Sequence, residues 1–416
     1  MHRSNGGAGG RKGKGKNDTK EKGRSSGKDM VTDQMSSLQL DSWSLPQEIT
    51  FNIMSRLPVK SVMRCRCVCR AWHNSLKDPH FVDMHLDRVS QGKDRSLLFC
   101  TLRYSADSPI HLDYKVHHVE KMHDLGVVEQ PMTRVEVPCT FWEESGAEFP
   151  CTVWASCNGL LCSTSTWFDN GEMIIFNPYT REKVKLPRSN FGYDTHNMTC
   201  GWGYHSASKE YKALWFFVQK AGDGTCAKHM AMVFTLGSNS WRSKGEVPFC
   251  VYGWQKLNVL VNEALHWIYP IDPYNIMITA FDIGDEEFRY LPLPPELRSN
   301  RETEIKEFGE FLSLVDFSSS NCVEIWVMKH YGVGESWSKQ YVIPTPESVT
   351  DVHLIWPLEA GRVLLHYNEQ FVSYDPLSNQ TVPLAFEVPA NTTHTYVHQE
   401  SLVSPRMSKE RSLDTN

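Results

Sequence analysis

Residues 44–81 read SLPQEITFNIMSRLPVKSVMRCRCVCRAWHNSLKDPHF, and this stretch, Ser44 to Phe81, decides how the rest of the chain is organised. Leu45, Ile49, Ile53 and Leu57 recur every fourth residue, which places them on one stripe of a single helix. Ser44 can cap that helix, with Gln47 as its capping-box partner and Pro46 accommodated in the first turn. Leu57-Pro58 ends it, because the residue before proline is driven out of helical space. A second short helix is expected over Val59, Val62 and Met63, and a third carrying Val68 and Trp72. A segment of about 40 residues buries too little apolar area to be comfortable alone. The cluster therefore reads as a docking module that a partner completes.

The same residues resemble the F-box. Leu45-Pro46, Leu57-Pro58-Val59-Lys60-Ser61, Arg66-Cys67-Val68-Cys69, Trp72 and Asp78-Pro79-His80-Phe81 stand where that motif has them. Cys65 departs from a usual aromatic and Thr50 from a usual larger aliphatic residue, and neither removes an anchor. The resemblance implies a Skp-type adaptor as partner and, through it, the cullin of a ubiquitin ligase. It implies that Leu45, Pro46, Ile49, Leu57, Pro58, Val59 and Val68 enter the adaptor's groove, with Trp72 bracing the third helix.

Charge divides the chain unevenly. Residues 1–28 carry nine Lys/Arg against Asp18 and Glu21, a net of +7, so the overall −6 leaves −13 for the remainder. An acidic body is not built to hold nucleic acid, which is not an expected partner. The Gly-, Lys- and Ser-rich leader has too few apolar residues to order itself and is expected to be a disordered tail over residues 1–40. No apolar run approaches the roughly 20 residues that span a bilayer, and no signal-peptide core is visible, so no membrane contact is expected. Twelve scattered cysteines without disulfide-scaffold spacing fit a reduced compartment, cytoplasm and/or nucleus.

From about Ser96 short β-prone runs alternate with turn residues. Phe176, Phe234, Phe281, Val327 and Tyr374 mark equivalent points in five such units, separated by 58, 47, 46 and 47 residues. An interval near 45–50 with four short strands per unit is the pattern of propeller blades. The longer first gap suggests an insertion around Asn190–Thr199. Together with the runs Leu97–Phe99 and Gly159–Cys162, the marks predict six or seven blades.

The motifs inside these units resemble the F-box-associated, kelch-like propeller domain of plant F-box proteins. They include Ser156–Cys162, Asn177–Glu182, Gly201–Tyr204, Glu210–Lys212, Leu265–Trp267, Ala280–Asp282, Ile325–Met328 and Glu335–Trp337. Glu263 stands where that family usually has glycine, in a tight turn. The expected order is therefore multidomain: an all-α F-box bundle over 41–88, an all-β propeller over 95–400 and a flexible tail over 401–416.

Candidate chemistry is thin. Cys65, Cys67 and Cys69 alternate in a way that lets only Cys65 and Cys69 share a helical face, and His73 alone can join them, so no metal site is expected. No HExxH, CxxC, GxSxG or P-loop occurs, and Gly201-Trp202-Gly203 lacks the third glycine of a dinucleotide loop. Glu286-Glu287 reads as a hairpin tip. Neither a catalytic residue nor a cofactor is expected. Of thirteen tryptophans, Trp241, Trp267, Trp326 and Trp337 suit wedges between blades, whereas Trp167, Trp202, Trp254 and Trp356 are candidates for exposed recognition anchors. The expected function is substrate recognition in a Skp–cullin–F-box ligase, with an unidentified target protein held by the propeller for ubiquitination and degradation. The alternatives are a carbohydrate-binding propeller recognising glycosylated targets, or a propeller enzyme.

Overall fold

The computed structural model describes residues 46–91, 95–105, 108–119, 133–135, 140–142, 148–165, 173–187, 194–220, 227–247, 259–271, 275–297, 303–345, 349, 352–367, 370–384 and 392–406. The basic leader, Leu45, Trp167 and Trp254 lie outside them. The chain divides after Thr50, and residues 51–416 form one compact unit holding both helices and strands.

Helix α1 spans Gln47–Met54, α2 Val59–Cys65, α3 Arg70–Ser75 and α4 Pro79–Gln91. Pro58 is extended (φ −55°, ψ 149°) and separates α1 from α2, as the Leu57-Pro58 pair predicts. The third helix departs from expectation. Cys69 Sγ accepts the Trp72 N–H at 3.5 Å and caps α3, so Val68 sits in the preceding turn. Helix α4 has no counterpart in the expected cluster. Asp78 Oδ1 accepts the His80 N–H at 2.8 Å and Pro79 takes the first helical position, a favourable opening. Phe81, Val82, His85 and Leu86 then give α4 one buried face.

That face meets Phe51, whose ring centroid is 5.1 Å from that of Phe81, and Val59, Val62 and Leu76. Two polar groups are enclosed with them. Arg66 donates through Nη2 and Nε to the Leu76 carbonyl at 2.6 and 3.2 Å, and His85 Nε2–H donates to the Leu57 carbonyl at 3.0 Å. Both bonds tie the chain turns of the helical cluster to its centre.

The strands make antiparallel sheets in chain order. The first comprises β1 (Ser96–Ser105), β2 (Ser108–Val119) and β3 (Thr133–Val135), and the last strand, β25 (Thr392–His398), joins it. The second runs β4 (Thr140–Trp142), β5 (Glu148–Cys157), β6 (Leu160–Ser165), β7 (Met173–Phe176), β8 (Lys183–Lys185). Next come β9 (Asp194–His205), β10 (Glu210–Lys220), β11 (Ala227–Thr235), β12 (Arg242–Glu246), then β13 (Val259–Val261), β14 (Ala264–Pro270), β15 (Ile276–Asp282), β16 (Phe288–Leu291). The last two are β17 (Thr303–Phe308), β18 (Phe311–Asp316), β19 (Cys322–Met328), β20 (Trp337–Pro344), and β21 (Val352–Pro357), β22 (Val363–Tyr367), β23 (Gln370–Asp375), β24 (Gln380–Pro383).

Five sheets have the four strands of a blade and one has five, so the expected six or seven four-stranded units are corrected to five. The odd sheet arises because β5 is long. It pairs with β6 through Cys151–Cys157 and leaves Glu148–Pro150 to pair with β4. The five register marks fall on β7, β11, β15, β19 and β23, every fourth strand. Part of the longer first gap is taken up by strand length, since β9, β10 and β11 have 12, 11 and 9 residues.

Repeated devices hold the sheets together. In three of them the turn before the outer strand is organised by an Asp or Asn carboxyl or amide oxygen: Asn177 accepts from Tyr179 N, Asp282 from Gly284 N and Asp375 from Leu377 N. Arg181, Glu286 and Asn379 then occupy the same left-handed position, with φ of 60°, 60° and 54°. Indoles bridge neighbouring sheets, Trp241 Nε1 donating to the Pro187 carbonyl at 2.8 Å and Trp337 Nε1 to the Pro292 carbonyl at 2.7 Å. β25 pairs with β1, Ser96 opposite His398, and so stitches the end of the chain to the first strand.

The chain beyond β25 is not a tail at first. Ser401, Leu402 and Val403 are buried, which corrects the expected flexible segment as far as Arg406. Asn177 Nδ2 donates to the carbonyls of Ser401 (3.0 Å) and Val403 (2.8 Å), and Ser401 Oγ donates to the Asn158 carbonyl at 2.6 Å. Leu402 and Val403 thereby enter one apolar core with Phe81, Val82 and Leu86 of the helices and Leu160, Ile175 and Trp202 of the strands.

Two predictions follow from these contacts. At Gly159 (φ +76°) a Cβ would lie 2.6 Å from Ser401 Cβ and 2.9 Å from the Gln399 carbonyl, whereas at Gly245 (φ +85°) nothing lies within 4 Å. Gly159→Ala is expected to cost about 2–4 kcal/mol and Gly245→Ala about 1 kcal/mol in denaturant unfolding. Equal costs would mean that the segment around Ser401 does not press on this turn. The second concerns Glu286, which accepts from Arg242 Nη2 and Nη1 at 2.6 and 2.8 Å and pairs with Lys212 at 3.0 Å. The Arg242 hydrogen bond, helped by Lys212, holds its carboxyl at about 2. A depressed carboxyl stabilises the fold above its unfolded value of about 4.5 and loses that contribution as pH falls towards 2. The stability lead of the wild type over Glu286→Gln, about 1–2 kcal/mol at pH 7 after solvent screening, should narrow steadily between pH 4.5 and 3.

Candidate functional site

The helices present two opposed surfaces, one packed and one open. In α2, Val59 (2 % exposed) and Val62 turn into the core, while Lys60 and Arg64 point outward. Val59 is therefore corrected as a groove-inserting residue, because the helix places it one turn-face away from solvent. Leu57 is half-buried against the core and lends its carbonyl to His85, and Trp72 is half-buried and packs on the same core. Pro46, Ile49, Pro58 and Val68 are exposed, as is Ile53; the Val68 side chain, at 67 %, in the turn before α3, is the most open of the large apolar residues in the helical cluster. Thr50, the residue that departs from the motif, is buried and its hydroxyl donates to the Pro46 carbonyl at 3.2 Å, so no polar group is stranded.

Leu57, Pro58 and Val59 also form one wall of a groove of about 490 Å³, with Ser55, Arg56, Arg88, Val89 and Glu400 lining the rest. Asn52 organises its rim, its Oδ1 accepting from Arg56 and its carbonyl from Arg88 at 2.6 Å. Arg88 and Val89 belong to α4 and Glu400 to the segment after β25. The pattern Phe81, Val82, His85, Leu86 carried the signal for α4; nothing local marked Glu400.

The helices attach at one end of the propeller. Lys209, in the β9–β10 turn, pairs with Asp83 at 3.0 Å; Glu182, in the β7–β8 turn, pairs with Lys77 at 3.9 Å; Gln399 donates to Ser90 at 2.8 Å. Because neighbouring strands are antiparallel, the first-to-second and third-to-fourth turns of the sheets β9–β12, β13–β16, β17–β20 and β21–β24 share one end, the end of the β9–β10 turn. The strand ends flanking the other connections, such as Ile271 after β14 (54 % exposed), face the opposite way.

The four proposed tryptophan anchors fare differently. Trp167 and Trp254 lie outside the described residues. Trp202 is 1 % exposed and stacked on Tyr211 at 5.5 Å in the core shared with the helices, which corrects it as a surface anchor. Gly201 and Gly203 flank it on β9, where alternation turns the indole to the packed face. Trp356 is half-buried on β21, opposite Leu364. Trp267, Trp326 and Trp337 are buried as expected of wedges, and Trp241 is half-buried.

Polar clusters inside the propeller read as fasteners. Tyr331 O–H donates to His266 Nε2 at 2.7 Å and His266 Nδ1–H donates to the Val259 carbonyl at 3.2 Å. Burial pulls that imidazole down to about 4, so it stays neutral. Ser156 and His398 Nδ1 lie 2.9 Å apart, but His398 is wholly enclosed and links β25 to β5, leaving no room for a substrate. Glu286 is the inter-blade clamp described above, and Glu287 is exposed at the turn. Among the described residues no group of side chains is arranged to hold a metal ion, and no helix is long and apolar enough to cross a membrane.

Comparison with known proteins agrees with this architecture. A family model described as the F-box associated beta propeller domain matches residues 111–404, and one described as F-box-like matches residues 42–86. The F-box protein At3g07870 of Arabidopsis thaliana is 28% identical, over 86% of this chain and 91% of its own length. The F-box protein CPR1 of the same plant is 28% identical, covering 78% and 80%. An Arabidopsis thaliana F-box/kelch-repeat protein, At3g23880, is 24% identical over 80% and 88%.

The two faces of the helical module make a sharp contrast testable by stability alone. Val59→Asp should unfold the helical cluster, an effect of several kcal/mol from a charge buried without a partner. Val68→Asp should leave the thermal midpoint unchanged. A Val68→Asp variant as unstable as Val59→Asp would show that Val68 is covered within the free protein.

Proposed function

Since the chain belongs to the F-box-associated β-propeller family and carries an F-box-like segment ahead of that domain, we propose that it is the substrate-recognition subunit of a Skp–cullin–F-box ubiquitin ligase. The observation that supports this reading most directly is the exposure of Ile49, Ile53 and Val68 on a helical cluster whose other side is sealed in a core. Exposed apolar side chains of this size, on a module too small to spare them, are the residues a protein partner covers. A Skp-type adaptor covers them, and the adaptor brings the cullin.

The propeller holds a target protein. Its helix-bearing end is partly occupied, so the opposite end, where Ile271 is exposed, receives the target. No bond is made or broken by this chain. Holding the target near ubiquitin carried on a conjugating enzyme raises the local concentration of the reacting groups, which is the whole contribution required. The protein works in the cytoplasm and/or nucleus, where such ligases meet their targets.

The double variant Ile53→Asp/Val68→Asp tests the reading. It should lose at least a hundredfold in affinity for a Skp-type adaptor in a purified two-component assay, consistent with removal of two central apolar contacts. Its unfolding midpoint should match the wild type. Undiminished adaptor affinity would move the docking surface elsewhere.

A further inference from the structure

Between Glu48 and Asp78 the chain has no acidic residue, yet it has Arg56, Lys60, Arg64, Arg66, Arg70 and Lys77. The rest of the molecule beyond the leader is strongly acidic, so this concentration is local. Arg66 is buried; the other five are exposed. Lys60 and Arg64 lie one turn apart on the outer face of α2. Hydrogen bonds from Cys67 N to the Arg64 carbonyl (3.0 Å) and from Val68 N to the Cys65 carbonyl (3.1 Å) wind the chain into a tight turn directly after α2, and Val68 is exposed there. Arg56 lies in the turn before α2 and Arg70 opens α3 after it, and both are exposed. Lys77 reaches Glu182 at 3.9 Å, but among the described residues no carboxylate pairs with Arg56, Arg64 or Arg70.

Exposed Val68 with guanidinium groups nearby, none of them matched by a carboxylate among the described residues, constrains whatever covers it. A neutral surface closing over Val68 would strip water from Arg64 and Arg70 without replacing it, and desolvating an unpaired charge is costly. A surface carrying carboxylates around an apolar groove meets both demands. We propose that the helical module is built for an acidic adaptor: the partner's groove is bordered by carboxylates facing Arg56, Arg64 and Arg70, and their attraction sets the rate of docking. Rim charges of this kind act mainly on association, while the apolar anchors hold the complex together. The inference rests on the adaptor reading above.

Stopped-flow association of the full-length chain with a purified Arabidopsis Skp-type adaptor tests it. For the wild type, kon should fall about tenfold or more as NaCl rises from 25 to 300 mM. The charge-reversed variant Arg56→Glu/Arg64→Glu/Arg70→Glu should associate at least tenfold more slowly at 25 mM and show kon flat or rising with salt, with koff changed by less than about threefold. The neutral variant Arg56→Gln/Arg64→Gln/Arg70→Gln should lie between the two, and it secures the comparison should charge reversal disturb folding. A wild-type complex whose kon ignores both salt and substitution would overturn the acidic-partner inference while leaving the adaptor reading standing. Failure of the wild type to bind the adaptor at any salt would remove both. Binding to phosphatidylserine vesicles that is lost on charge reversal, with adaptor kon unchanged, would reassign the basic face to a lipid surface and overturn the inference as well.

Discussion

One apolar core joins the helices to the sheets, and the rest of the molecule depends on it. Phe81, Val82 and Leu86 of α4 pack with Leu160 and Ile175 of the strands and with Leu402 and Val403 of the segment after β25. Each of these side chains contributes about 1.5–3 kcal/mol when enclosed. The helical cluster has too little area of its own to achieve that, and the propeller supplies what is missing. Its other face stays open for a partner because only one face is needed to attach it.

The last residues of that core are held by polar bonds rather than by secondary structure. Asn177 spends both donors of its amide on the carbonyls of Ser401 and Val403 while its oxygen organises the β7–β8 turn. A single side chain thus shapes a blade turn and fastens the strap beneath the helices. The strap in turn lies on the Asn158-Gly159 hairpin, where the absence of a Cβ is what allows the approach. The helical cluster is thus tied to the strands by side-chain bonds as well as by the shared core.

Electrostatics divides the labour among residues of similar type. Glu286 and Lys212 are largely buried and bind each other, Arg242 and backbone, which makes them a clamp between sheets. Glu263 occupies a left-handed turn position (φ +58°) that suits glycine, and its carboxylate accepts the Ser206 N–H at 3.1 Å from the neighbouring sheet. The turn therefore keeps a residue with some backbone strain in exchange for a tie across blades. Among the described residues no carboxylate pairs with Arg56, Arg64 or Arg70, and that difference separates a structural charge from one available to another molecule.

The sequence alone determined the order of parts, the break at Leu57-Pro58 and the repeat of four strands, because helix period, proline chemistry and strand alternation act over a few residues. The spacing of Phe176, Phe234, Phe281, Val327 and Tyr374 was legible for the same reason, each mark falling on the third strand of a local unit. Which side of each element faces inward was decided only by tertiary structure. Val59 and Val68 are chemically alike, yet one fills the core and the other meets solvent, since a cap at Cys69 and the packing of α4 set the rotation of the chain between them. Trp202, expected as an exposed recognition anchor, is instead a core residue, because it packs in the core shared by the helices and β9. Burial of Ser401–Val403 likewise depends on Asn158 and Asn177, more than two hundred residues away, and no local pattern records a contact of that range.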